Sequence, residues 1–320
     1  KTITVGARKL LNEDIVFVSH FNARVELDPS TLDRCGKSHS IASDGKSCST
    51  YNEPDFDFDS PTDDQFFTIE EIRASMFARI CNYMQGRVNI SKEVIEFLTE
   101  CLNRGVCPII PKNSMNSEGK MMLDLMRGIG QCFTKNGKKS AKSAFLEEKV
   151  KVPEQISDGH GKTIVSRSFL EIGLLCCASF AAINFVNATN ATVCFGLEAI
   201  FSNLDAFQSA NFDTFRQQRG QIETAEVIRL FLAGSKMTKN TKNSSKNCEI
   251  FDLVPQYVGP ALDLISMAYK IAETELNSTE NGPIDGTIRP LHMQQVKSAQ
   301  NQLLHAMKIL KNGSVHRTKA

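Results

Sequence analysis

From Ile172 to Leu197 the chain carries no charged residue, and this run restricts what the rest of the molecule can be. It is far longer than an ordinary strand of about 5–6 residues. As a helix it is long enough to cross a bilayer. Its second half, however, contains Asn184, Asn187, Thr189, Asn190 and Thr192, and unpaired amides are costly in hydrocarbon. The strictly apolar part has the length of a buried core helix. The run therefore predicts the central helix of a soluble protein, which other helices have to cover.

Such helices are legible in the apolar spacing. In Ile69–Met84 the residues Ile69, Ile72, Met76, Phe77, Ile80 and Met84 recur every three or four positions, and Thr68 with Glu71 forms a capping box, so an amphipathic helix is predicted. Ser91–Leu102 repeats the grammar, with Ser91 as N-cap, Val94, Ile95, Leu98 and Leu102 as the stripe, and Gly105 beyond the end. Further helices are predicted over Gly119–Phe133, Ser166–Phe185, Gly220–Ala233, Pro260–Leu276 and Leu291–Leu310. Strand signals are confined to Thr2–Val5 and Val150–Val152. With 320 residues, the chain is long enough for one large domain or two moderate ones.

Three segments read as loops: Cys35–Gln65, Thr134–Lys142 and Ser235–Asn247. In the first, Asp55-Phe56-Asp57-Phe58-Asp59 resembles the start of a calcium loop, but position six is Ser60 rather than Gly and position twelve is Phe66 rather than Glu. The lysines of the other two have no interleaved aromatic residues for base stacking, and the formal net charge is only +1, so nothing asks for nucleic acid or a polyanion. Gly159-His160-Gly161-Lys162-Thr163 ends like a phosphate-binding loop, but Ile156 stands where its first glycine is required.

The six histidines, at 20, 39, 160, 292, 305 and 316, are scattered and form no i,i+4 pair with one another, so no metal site is expected. The ten cysteines contain no C-x-x-C pair and read as reduced, mostly buried thiols. No G-x-S-x-G elbow supports a hydrolase. Six N-x-S/T sequons start at Asn89, Asn187, Asn190, Asn243, Asn277 and Asn312. Asn187 and Asn190 lie in the apolar run, where a glycan is not expected to fit. With no apolar signal core in Lys1–Leu10, a cytoplasmic or organelle-lumen protein is expected rather than a secreted one. The missing initiator methionine reads as a trimmed chain or a fragment.

Four collinear blocks resemble the histidine and phenylalanine ammonia-lyases. The first is Leu11-Asn12-Glu13-Asp14-Ile15-Val16 with Ala23-Arg24-Val25-Glu26-Leu27-Asp28-Pro29. The second joins Arg73-Ala74-Ser75-Met76-Phe77-Ala78-Arg79 and Gly86 to Leu102-Asn103-Arg104-Gly105-Val106-Cys107-Pro108-Ile109-Ile110-Pro111. The third is Phe215-Arg216 with Gly220-Gln221-Ile222. The fourth links Pro255-Gln256-Tyr257-Val258-Gly259 to Glu275-Leu276-Asn277-Ser278-Thr279-Glu280-Asn281-Gly282-Pro283.

In that family the electrophile is a methylidene-imidazolone formed by cyclisation of the protein's own Ala-Ser-Gly, the serine losing water. The resemblance places the tripeptide at Ser117-Glu118-Gly119, where Glu118 stands for the serine and has no β-hydroxyl to eliminate. A one-residue shift would give Ser117 the serine role but discard the matched Gly119. The family's tyrosine base is matched by Tyr51, without the glycines that follow it in the family. The asparagine that holds the substrate falls near Ala178. The tyrosine and arginine of "Q-D-x-Y-S-x-R" fall near Glu249 and Asp252, reversing the charge meant for a substrate carboxylate. The phenylalanine of "G-N-F-H-G" falls near Ile288. Gln256 is retained and reads as a helix-packing residue.

The resemblance implies a mainly α, ammonia-lyase-like fold: an N-terminal mixed region over 1–172, carrying the degenerate electrophile loop, then a bundle of long helices over 173–320. It also implies a chain shortened after about Gly313. No catalytic set is intact, and the methylidene-imidazolone prosthetic group is expected to be absent. The function implied is a catalytically inactive structural or oligomerisation subunit, a homo- or hetero-oligomer through long helices. Two alternatives stand beside it: an active lyase eliminating ammonia from L-histidine or an aromatic amino acid, and a regulatory subunit of an active lyase.

Overall fold

The computed structural model describes residues 1–37, 65–86, 88, 90–112, 118–153, 158–165, 168–215, 217–238, 249–278 and 289–315. They form two compact units, one of Lys1–Cys177 with Ala272–Pro290, the other of Ala178–Ile271 with Leu291–Ala320. Strand β1 (Thr2–Val5), helix α1 (Asn12–Ser19) and strand β2 (Arg24–Leu27) make a small parallel β-α-β turn in register Thr2↔Arg24 to Val5↔Leu27. Helix α2 (Pro29–Lys37) follows, capped by Asp28, whose carboxylate accepts from Ser30, Thr31 and the Thr31 N–H.

Helix α3 (Ile69–Tyr83) starts with the expected reciprocal cap between Thr68 and Glu71. It is not amphipathic in the expected sense: every residue from Ile72 to Tyr83 is buried. Its polar face is internal and satisfied. Arg73 donates to the Val18 carbonyl (3.2 and 2.8 Å) and the Leu102 carbonyl (2.7 Å), which explains why an arginine can stand there. Helix α4 (Lys92–Arg104) ends as predicted at Gly105, left-handed at φ +78°, although the Ser91 side chain makes no capping bond.

Beyond α4, strand β3 (Cys107–Pro108) pairs with β4 (Gln131–Thr134), which pairs with β5 (Gly137–Ser140), all antiparallel. The segment read as the loop Thr134–Lys142 is therefore a hairpin running into helix α6 (Ala141–Glu148), turning at Gly137 (φ +103°). Helix α5 (Glu118–Met126) stops well short of the expected Phe133, because Gly128 and Gly130 adopt positive φ and release the chain into β4. No strand forms over Val150–Val152. The rejected phosphate-loop residues 159–163 lie in a helix, α7 (Asp158–Val165). The calcium-like residues 55–59 fall outside the described residues.

The uncharged run lies in α8 (Leu170–Ala199), a single 30-residue helix. It is the one helix among the described residues long and apolar enough to cross a membrane, and half of its most apolar window is buried inside the protein. Asn190 is 2% exposed, as the glycan argument requires, but Asn187 is exposed, so burial does not exclude modification there. In the second unit, α8 packs with α9 (Arg219–Phe231), the short α10 (Glu249–Asp252), α11 (Val254–Leu276) and α12 (Arg289–Val315). The core joins Val186, Leu197, Phe207, Ile228, Val258, Ile265 and Ala306. Helix α11 starts before the predicted Pro260 and runs through it, because burial of Val258, Ala261 and Ile265 on that core outweighs the missing backbone bond.

Candidate functional site

Four-residue spacing puts Ser75, Arg79 and Tyr83 on one stripe of α3, inside the first unit. A buried guanidinium demands a counter-charge, and Glu118, the first residue of α5, supplies it. Both side chains are 0% exposed, and Arg79 Nη2 lies 2.6 Å from Glu118 Oε2. Arg79 Nε also donates to Oε1 at 3.3 Å, giving a two-pronged pair.

Other polar groups around the pair are also engaged within the protein. Ser75 Oγ donates to Oε1 (2.8 Å), and the Phe169 N–H, just before α8, donates to Oε2 (3.1 Å). Arg79 Nη1 donates to Tyr83 Oη (2.8 Å) and to the Ile164 carbonyl of α7 (3.0 Å). The guanidinium sits 4.8 Å from the Phe169 ring centre, a cation–π contact. Burial works against the Arg79 charge, but the Glu118 carboxylate and then Tyr83 outweigh it and hold the guanidinium above its ordinary pKa. At the start of α5, Glu118 also places negative charge at a helix N-terminus.

Gly119 has an equally local reason. A Cβ built there would lie 2.5 Å from the Ile164 carbonyl oxygen, so only glycine lets α7 approach α5 this closely. Glu118 and Gly119 thus fasten α5 to α3, α7 and the start of α8. The residues present do not fit the electrophile implied by the resemblance: Glu118 has no hydroxyl to lose as water, and its side chain is enclosed in an ion pair.

The remaining predicted positions fall either outside the described residues or in the second unit. Tyr51, Ser117 and Ile288 lie outside the described residues. Ala178, Glu249, Asp252 and Gln256 belong to the second unit, Ala178 exposed on α8 and Glu249 and Asp252 at the two ends of α10. Gln256 lies on α11, and its Oε1 is buried without a partner among the described residues, as is Gln221 Oε1 on α9. Nearby, a Cβ on Gly220 would come within 2.1 Å of the Gly259 carbonyl oxygen, and one on Gly259 within 2.6 Å of the Gln221 nitrogen. The third and fourth sequence blocks therefore meet at a tight crossing of α9 and α11.

Asn103 and Asn277 of the blocks, and Gly173 outside them, have similar duties. Asn103 exchanges two 2.8 Å bonds with the backbone of Val25, and Asn277 does the same with Leu10. Gly173 sits where a Cβ would reach 2.8 Å from the backbone of Ala74 and Ser75. Sequence reasoning missed the Arg79 pairing; the available signal was a buried-stripe arginine together with a carboxylate foreign to the motif.

The family model for aromatic amino acid lyases matches residues 37–308. A histidine ammonia-lyase of Treponema denticola is 25% identical over 316 residues, covering 89% of this chain and 62% of its own length. A tyrosine 2,3-aminomutase of Chondromyces crocatus is 27% identical over 245 residues, covering 68% and 46%. The chain thus spans only about half to three-fifths of these curated relatives. Among solved structures, an ergothionase of Treponema denticola in complex with desmethyl-ergothioneine sulfonic acid superposes with a TM-score of 0.78 at 19% identity, covering 99% of this chain and 71% of that one. Phenylalanine ammonia-lyase from Rhodosporidium toruloides gives 0.79 at 18%, covering 98% and 52%.

Proposed function

Because this chain belongs to the aromatic amino acid lyase family, we propose that it keeps the family's helical fold without forming its methylidene-imidazolone, and serves as a structural or oligomerisation subunit. The observation that carries the proposal is the Glu118–Arg79 pair: the position that resemblance gives to the eliminating serine holds a carboxylate spent on joining helices. The tripeptide lies within the sequence, so this argument does not depend on how far the chain extends. Ala178 and Asp252, at the positions assigned to a substrate amide and a carboxylate-binding arginine, supply neither function.

Association through the helices is supported by apolar side chains left exposed on the second unit, including Phe195 on α8, Leu230 and Phe231 on α9, Met267 on α11 and Leu304 on α12. A helix bundle with such faces calls for a partner surface, a second copy or a related lyase subunit.

The test is spectroscopic. The purified chain, alone and co-expressed with an active lyase subunit, is incubated with L-histidine, L-phenylalanine or L-tyrosine, and absorbance of urocanate, cinnamate or coumarate is followed. The proposal expects no product from the chain alone. Product formation abolished by Ser117→Ala would overturn it in favour of the shifted tripeptide.

A further inference from the structure

One cleft lies entirely within the first unit and away from Glu118. Its volume is about 620 Å³, within the range of about 300–1,000 Å³ usual for small-molecule sites. Val5, Cys81 and Met84, all nearly inaccessible, contribute apolar lining. Arg8, Lys9 and Arg34 supply three cations, and among the described residues no aspartate or glutamate lines the cleft.

Arg8 and Lys9 are each held by a carboxylate outside that lining, and Arg34 by the hydroxyl of Thr31 within it. Arg8 Nη2 pairs with Asp14 at 2.7 Å, and Lys9 Nζ with Glu273 at 2.6 Å. Arg34 Nη2 donates to Thr31 Oγ1 (2.9 Å), which donates to Asp28 (2.7 Å). Such bracing fixes long side chains that would otherwise lose rotamer freedom on meeting a ligand. Braced cations beside apolar lining suit a ligand with one anionic end and an apolar body.

From this we infer that the cleft between β1, α2 and the end of α3 binds a small organic carboxylate, its charge met by Arg34 with Arg8 and Lys9 and its body set against Met84 and Val5. The inference is independent of whether the electrophile forms.

The probes are benzoate, its neutral isostere benzamide, and inorganic phosphate as a charge without an apolar body, each titrated calorimetrically into the intact chain. Benzoate is expected to saturate one site, with benzamide weaker by about tenfold or more through loss of a charge-assisted contact and phosphate weaker by a similar factor through loss of the apolar body. Arg34→Gln is expected to weaken benzoate by a similar factor with an unchanged circular dichroism spectrum, and Arg34→Lys by less. Failure of benzoate to bind, equal binding of benzamide or phosphate, or unchanged benzoate affinity in Arg34→Gln would overturn the inference.

Discussion

Replacing Glu118 by Gln tests what this carboxylate does, because the shape is kept and only the charge is lost. In the wild-type chain Glu118 accepts from Ser75 Oγ, Arg79 Nε, Arg79 Nη2 and the Phe169 N–H. A glutamine retains one acceptor oxygen and turns the other position into a donor facing donors. Arg79, 0% exposed, keeps its charge without a counter-ion. Breaking a buried pair on one side costs about 3–5 kcal/mol, which for a domain of this size lowers Tm by roughly 6–20 °C. The double variant Glu118→Leu with Arg79→Met removes both charges and should recover most of the loss, since apolar replacements of buried pairs are often neutral. Thermal and urea unfolding of the wild type, Glu118→Leu, Arg79→Met and their double variant completes the cycle, with Glu118→Gln measured beside them. A loss below about 1 kcal/mol for Glu118→Gln, or strictly additive losses in the double variant, would refute the view of Glu118 as a structural clamp.

Other perturbations follow from the same geometry. Gly220→Ala forces a methyl to within 2.1 Å of the Gly259 carbonyl oxygen and should cost about 3 kcal/mol or prevent folding of the second unit, read by thermal unfolding. Asn103→Ala leaves the Val25 N–H and carbonyl without their side-chain partner, a loss of about 1–3 kcal/mol measured by urea denaturation. Burial pushes the Cys107 thiol up to about 12 against an opposing effect of Arg73, and burial likewise raises Cys101 and Cys176. These three should therefore stay unlabelled when the native chain meets iodoacetamide at pH 8. Because their folded pKa values are raised, the stability they contribute is fully present below the unfolded thiol range near 9 and declines as pH climbs above it, for Cys107 up to about 12, which unfolding at stepped alkaline pH checks.

Much of the helical framework was legible because apolar spacing and caps act locally. Thr68 with Glu71 and Gly105 marked ends of α3 and α4 that the structure retains. Where tertiary packing decides, local signals misled. Pro260 looked like a helix start, yet α11 passes through it, held by the second unit's core. The lysine-rich β5 has little strand propensity and exists because Gln131–Thr134 offers it a partner across Gly137. At the candidate site, Glu118 was legible as a missing hydroxyl but not as an ion-pair partner, since 39 residues of sequence separate it from Arg79. The duties of Gly220 and Gly259 likewise emerge only when α9 and α11 cross.

The central claim, that Ser117-Glu118-Gly119 remains an ordinary peptide, is tested most directly by mass spectrometry of the intact chain and of the proteolytic fragment containing residues 113–119. The account predicts masses equal to those of the unmodified sequence. A fragment lighter by whole water molecules, the mark of backbone cyclisation and elimination, would contradict it.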